Sequence, residues 1–189
     1  MEGWLTFFQE FVRHPRQVAS VVPSSRFLER RLVEAAGLRS AKAVVELGPG
    51  TGGTTRAILG AIAPDARLLT IELSPHLHAL VSRIDDRRLI THRGDARELK
   101  EIIAAHGLGA PDAVISGIPF STIAPHTGRE ILEAIYSVLT PGGRFVAYQV
   151  NRRVATLSQL FPEPEDAELA LLNIPPLRIF RWEKDGVGL

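Results

Sequence analysis

The stretch Val44-Val45-Glu46-Leu47-Gly48-Pro49-Gly50-Thr51-Gly52-Gly53 constrains this chain more than any other. An aliphatic run ends in an acid and then meets glycines at alternate positions, so an extended segment has to turn sharply there. A glycine-rich turn between a strand and a helix lets backbone approach a ligand closely and aims free N–H groups at it. The spacing Gly48-x-Gly50-x-x-Gly53 also satisfies a dinucleotide fingerprint, so the turn alone leaves the class of nucleotide open.

From residue 41 onward, short aliphatic runs alternate with longer amphipathic ones, the pattern of βαβ units and a parallel sheet. Strands are predicted over roughly residues 43–47, 67–72, 88–92, 112–116 and 143–149, with helices between them. Thr140-Pro141-Gly142-Gly143 stops the helix before the last of these, because proline cannot continue a helix and glycine tolerates the turn. Leu169 to Asn173 and Leu177 to Trp182 flank Ile174-Pro175-Pro176 and read as an antiparallel pair. The expected architecture is α/β and Rossmann-like: a seven-stranded, mostly parallel sheet flanked by helices, in a single domain spanning residues 1–189. A hydrophobic content of 45% over 189 residues suits one such core.

Residues 1–40 stand outside the alternation as an N-terminal helical extension, with the sheet domain over 41–189. Trp4, Phe8 and Phe11, with Leu5, Phe7 and Val12 beside them, recur at three- and four-residue steps and make one apolar helix face. That face either packs across the sheet domain or rests on a bilayer with Arg13, His14 and Arg16 at headgroup level. Residues 13–31 hold five arginines and one glutamate, a local balance of +4. Gln9, Glu10 and Arg13 interrupt the apolar start before a signal peptide or spanning helix is complete, so the chain reads as soluble and unprocessed.

Several classes drop away. The chain has no cysteine, which removes disulfides, thiolate metal sites and cysteine nucleophiles. Six histidines lie scattered with no carboxylate cluster at ligand spacing, so no metal is expected; His126, following the fourth strand, is the one considered as a proton acceptor. No Gly-x-Ser-x-Gly elbow and no Gly-x-x-x-x-Gly-Lys loop is present. A net charge of +1 writes no long-range attraction to a polyanion into the whole chain.

The ends of the later strands separate the two cofactors that the turn admits. With S-adenosylmethionine, Gly48, Gly50 and Gly52 clear room for the amino acid portion and Glu46 lies near its ammonium, whereas a pyrophosphate gains nothing from that carboxylate. Glu72 ends the second strand, where a carboxylate accepts both ribose hydroxyls of either cofactor. His92-Arg93-Gly94-Asp95-Ala96 places Asp95 where its side chain accepts an adenine amino group, and a dehydrogenase has less need of an acid there. Ser116-Gly117-Ile118-Pro119-Phe120 brings a hydroxyl and backbone carbonyls to a point where an amine can be steered. Glu72 and Asp95 also suit plain helix caps. Core packing stays open for Phe120 and Tyr148, and simple solvation for the arginines.

In their order and spacing, Glu46 to Gly52, Glu72, Gly94-Asp95-Ala96, Ser116 to Phe120 and Leu139-Thr140-Pro141-Gly142-Gly143 resemble the successive motifs of class I S-adenosylmethionine-dependent methyltransferases. Phe11-Val12-Arg13-His14-Pro15, Ser20 to Arg26 and Asn173-Ile174-Pro175-Pro176 resemble, more narrowly, the bacterial phospholipid N-methyltransferases, which convert phosphatidylethanolamine stepwise towards phosphatidylcholine. The rRNA adenine dimethyltransferases are similar but more distant. They carry asparagine where this chain has Ser116, and a basic C-terminal domain where residues 151–189 hold five basic and six acidic side chains.

The resemblance implies a donor site made by Ser25, Glu46, Gly48, Pro49, Gly50, Thr51, Gly52, Glu72, Leu73, Asp95, Ala96 and Ser116. It implies transfer chemistry at Ser116, Gly117, Ile118, Phe120 and Tyr148. Phe120 and Tyr148 would form one aromatic surface for the methylated cation, and Arg152, Arg153 and Arg178 would reach the phosphate. Ser24 and Ser25 either cap a helix beginning near Arg26 or belong to a lid beside the donor. With the resemblance added, Trp4, Leu5, Phe8, Phe11, Arg13 and Arg16 favour an anionic membrane surface, and the expected location is the inner face of the cell membrane. A phospholipid is the expected substrate, and nucleic acid is disfavoured as a partner.

Overall fold

The computed structural model describes residues 24–149, 153–157, 160–161, 164, 166–170 and 177–186. In chain order the elements are α1 (Ser24–Ala35), β1 (Ala43–Leu47), α2 (Gly53–Ala61), β2 (Arg67–Glu72), α3 (Pro75–Val81), β3 (Leu89–Arg93), a 3₁₀ turn (Ala96–Glu98), α4 (Leu99–Ala105), β4 (Ala113–Ser116), α5 (Pro125–Val138), β5 (Arg144–Gln149), α6 (Arg153–Leu157), β6 (Asp166–Ala170) and β7 (Leu177–Glu183). The strands form one seven-stranded sheet in the order β3-β2-β1-β4-β5-β7-β6. β1 to β5 run parallel, and β7 lies antiparallel between β5 and β6.

Side chains alternate across a strand, so each strand feeds two cores. On one face Val44, Leu68, Ile115, Val146 and Ile179 pack with Leu32 and Ala36 from the α1 end and Ile58 and Leu59 of α2. On the other, Val45, Leu69, Val114, Phe145 and Trp182 pack with Leu99 and Ile102 of α4 and Ile131 and Ile135 of α5. Burial on both faces explains why these strands read as continuous aliphatic runs. The antiparallel end is fixed by aromatic pairing: Phe145 and Trp182 are partners in register, with ring centroids 5.0 Å apart and planes 14° from parallel.

Two boundaries differ from expectation. α1 begins at Ser24, so Ser24 and Ser25 lie inside the helix rather than ahead of it at Arg26. Strand β6 is described over Asp166–Ala170, so it begins ahead of the expected residues 169–173, and its described ladder with β7 runs from Asp166↔Arg181 to Ala170↔Leu177. Residues 171–176 separate the two strands in the chain and lie outside the described residues, as do Trp4, Leu5, Phe7, Phe8, Phe11, Val12, Arg13, His14, Arg16 and Arg152. Among the described residues no helix is long and apolar enough to cross a membrane.

Candidate active site

Between β1 and β4 the strand order reverses, which in an open α/β sheet opens a crevice at the carboxyl ends of the strands. The glycine turn sits at that crevice. Gly48, Gly50 and Gly52 have φ of 71°, 58° and 84°, a region that side chains strain to enter. A Cβ at Gly50 would meet nothing within 4 Å, so bare backbone faces open space there. Pro49 is buried beneath the turn and Thr51 is exposed at its tip.

Glu46 is completely buried at the end of β1. Its Oε2 accepts the Thr55 hydroxyl at 2.6 Å, while its Oε1 has no hydrogen-bond partner among the described residues. Burial pushes this carboxyl from 4.5 up to about 8; the Thr55 hydrogen bond pulls the other way and the Glu72 charge adds to the rise. A buried acceptor without a partner is costly. An incoming cation with N–H donors is the chemistry that satisfies it.

Glu72, also buried, ties the second strand to the turn. Its Oε2 accepts the Gly50 N–H at 3.3 Å and its Oε1 the Ser74 N–H at 2.9 Å. Burial raises its carboxyl, while the Ser74 and Gly50 donors lower it. Beside it Leu73 is 55% exposed, an apolar shelf next to a carboxylate. The Gly94 N–H donates to the Glu72 carbonyl at 3.2 Å and so brings the third loop to the same edge. There Asp95 accepts the Arg97 N–H at 2.9 Å with Oδ1, and Oδ2 takes the Arg97 guanidinium at 2.8 and 3.1 Å. Asp95 therefore caps the 3₁₀ turn, and its side chain stays 25% exposed above buried Ala96. Its hydrogen bond with Arg97 holds its carboxyl below the ordinary carboxylate range.

The fourth strand closes the crevice. Ser116 is fully buried and its Oγ accepts the Ile118 N–H at 3.2 Å. The Gly117 N–H donates to the Leu47 carbonyl at 2.9 Å, and a Cβ at Gly117 would collide with the Tyr148 hydroxyl and stand 2.8 Å from the Gly48 carbonyl. The glycine turn and the Ser116 to Phe120 loop thus lie close through backbone, at Gly117 and again where a Cβ on Gly48 would stand 3.4 Å from the Ile118 nitrogen.

Phe120 and Tyr148 do not form one aromatic surface. Phe120 is completely buried in the core shared with Ile131 and Ile135 of α5, while its backbone N–H is held by Gln149 Oε1. Tyr148 belongs to the opposite face, with Glu46, and its hydroxyl lies 3.5 Å from the Thr54 hydroxyl. Burial, with the Glu46 charge adding to it, pushes the Tyr148 phenol well above its ordinary value, so it stays protonated near neutrality. A protonated phenol can donate or accept a hydrogen bond there but cannot serve as a base.

Two groups at this site escaped sequence reasoning. Thr55 holds Glu46, and its signal was present in the Gly-Gly-Thr-Thr continuation of the turn. Gln149 is buried at the end of β5, where its Nε2 donates to the Ile118 carbonyl at 2.7 Å and its Oε1 accepts the Phe120 N–H at 3.1 Å. It pins the loop from a strand 31 residues away in sequence. Arg178 is its partner in register on β7, at the same carboxyl edge, and is half-buried. Arg153 opens α6, Ser25 lies in α1, and His126 is exposed in the first turn of α5.

Residues 44–143 match the family described as methyltransferase domain. The ornithine lipid N-methyltransferase of Singulisphaera acidiphila is 33% identical over 147 residues, 77% of this chain and 77% of its own length. The chain belongs to the class I S-adenosylmethionine-dependent methyltransferases. The ribosomal RNA small subunit methyltransferase A of Rhodospirillum rubrum is 37% identical over 101 residues, but this methyltransferase spans only 33% of that relative's length. Its fold is that of the N-methyltransferase NodS from Bradyrhizobium japonicum, with a TM-score of 0.75 at 12% identity, covering 97% of this chain and 99% of that one. TrmN from Thermus thermophilus gives 0.70 at 19% identity, covering 83% of this chain and 48% of its own.

The residues present fit the donor. In this methyltransferase the free Oε1 of Glu46 suits an ammonium, the Glu72 carboxylate suits vicinal hydroxyls, and the exposed Leu73 side chain suits the face of a base. Among the described residues no group of three or more histidines, aspartates and glutamates is gathered as a metal would require.

Proposed function

We propose that this methyltransferase acts on a lipid amine, methylating phosphatidylethanolamine and its mono- and dimethylated products at the inner membrane surface. The observation that carries this reading is the likeness to a lipid N-methyltransferase along 77% of both chains. The same relative favours a second substrate of the same class, the amine of an ornithine lipid.

The bound donor supplies a methyl group on a sulfonium, open to in-line attack. The protein's part is to present an amine lone pair along that line, which is a matter of orientation more than of acid catalysis. Ser116 and the Gly117 or Ile118 carbonyl are the groups proposed to steer the amine, and Gln149 donates to the Ile118 carbonyl. Partial exclusion of water favours the neutral, nucleophilic form of the amine. With Phe120 turned into the core, Tyr148 is the described aromatic left to face a methylated cation. Arg178, with Arg152 and Arg153, is the proposed contact for the headgroup phosphate. Trp4, Leu5, Phe8, Phe11, Arg13 and Arg16 are proposed to hold the protein on anionic lipid reversibly.

The test incubates the purified full chain and methyl-labelled S-adenosylmethionine with vesicles of phosphatidylethanolamine, vesicles of ornithine lipid, ribosomal RNA, or no acceptor. Label in phosphatidylethanolamine supports the proposal. Label confined to RNA overturns the lipid reading, and label confined to ornithine lipid moves it to the second substrate.

A further inference from the structure

Among the described residues Glu46 is an acid with no counter-ion. α2 offers it a hydroxyl from Thr55, β2 a second acid in Glu72, and β5 the phenol of Tyr148; no ion pair reaches it among the described residues. It is 0% exposed, and its Oε1 is without a partner among the described residues. Water cannot solvate the charge, and a neighbouring carboxylate opposes it. We propose that Glu46 is a specificity-determining residue, a neutral carboxylic acid in the free protein that gives up its proton to solvent when a ligand carrying an ammonium group enters. Selection of the donor's amino acid portion is then coupled to release of one proton.

The step is a simple exchange. The carboxyl O–H bond breaks, the proton passes to buffer, and the carboxylate so formed accepts N–H bonds from the ammonium. Burial already pushes this carboxyl to about 8, so at pH 7 roughly nine-tenths of the free protein carries the proton. A nucleoside thioether without the amino acid portion leaves the acid neutral and moves no proton. The inference rests on the donor-site reading and sharpens it, since the same pocket then distinguishes the two ligands by charge.

The experiment is calorimetric titration of the full chain at pH 7 with S-adenosylhomocysteine and with 5′-methylthioadenosine, each in phosphate and in Tris. These buffers differ widely in ionisation enthalpy. Binding of S-adenosylhomocysteine is expected to release roughly 0.9 proton, and its affinity to rise up to about tenfold per pH unit between about pH 6 and 7. The methylthioadenosine heat is expected to be the same in both buffers. The near-isosteric Glu46→Gln variant should lose the buffer dependence with S-adenosylhomocysteine and keep wild-type affinity for methylthioadenosine. A buffer-independent heat for S-adenosylhomocysteine on the wild-type protein overturns the inference and leaves the donor site standing. No heat in either buffer overturns the donor site and the inference together.

Discussion

Replacing Gln149 by leucine strands two backbone groups at once. The side chain is 4% exposed and supplies both the donor to the Ile118 carbonyl at 2.7 Å and the acceptor for the Phe120 N–H at 3.1 Å. Leucine fills a similar volume but offers neither, and water has little access to either orphan. Each buried group left unpaired costs about 1–3 kcal/mol, so with some relaxation of the loop the loss is about 3 kcal/mol. For a domain of this length, each kcal/mol lowers Tm by about 2–4 °C, giving a fall of about 6–12 °C by differential scanning calorimetry. On the proposed reading the loop steers the amine while Glu46 and Glu72 lie on the opposite face of the sheet, so KM for the lipid should rise and S-adenosylhomocysteine affinity should hold. A fall below about 2 °C with unchanged lipid KM would refute this role for Gln149.

Gly117→Ala should be more damaging to turnover than its single methyl suggests. The new Cβ meets the Tyr148 hydroxyl and the Gly48 carbonyl, so the loop and the glycine turn must part, at about 1–3 kcal/mol of overpacking in a denaturant melt together with a drop in kcat. The buried acid also sets a pH trend in the free protein. The folded-state pKa of Glu46 lies above its unfolded value, so its contribution is complete below about 4.5 and is lost as pH rises towards about 8. By pH 7 that loss is of order 3 kcal/mol, so Tm without ligand should fall from pH 5.5 to 8, and Glu46→Gln should flatten the slope. An unchanged slope in the variant would contradict the burial argument.

How far the sequence discloses this molecule depends on the range of the forces involved. The turn after β1 was legible because glycine spacing and a buried aliphatic run are local signals, and the same holds for the positions of Glu72 and Asp95 at strand ends. Asp95 shows that two local readings can coexist: it caps the turn through Arg97 and still lies at the crevice edge. Phe120 and Tyr148 were not separable in the same way. Alternation tells which residues of one strand share a face, but Phe120 sits in a loop, and its inward turn is set by the core waiting beneath it. Gln149 was illegible for a related reason, since its partners lie 31 and 29 residues away and only parallel pairing of β4 with β5 brings them together. The 3.1 Å contact between His92 and His106 is likewise a product of packing between β3 and the end of α4, with no sequence motif to announce it. The start of β6 at Asp166 carries no local signal, since Asp166 and Glu168 break the aliphatic run that marks the other strands.

The most direct test of the central claim is mass spectrometry of vesicles holding equal phosphatidylethanolamine and ornithine lipid after incubation with the protein and S-adenosylmethionine. The account predicts that phosphatidylethanolamine gains mass in single methylene steps, on the headgroup amine, and that omission of the donor abolishes the change. Lipids unaltered in mass, while added ribosomal RNA acquires methyl groups, would contradict it.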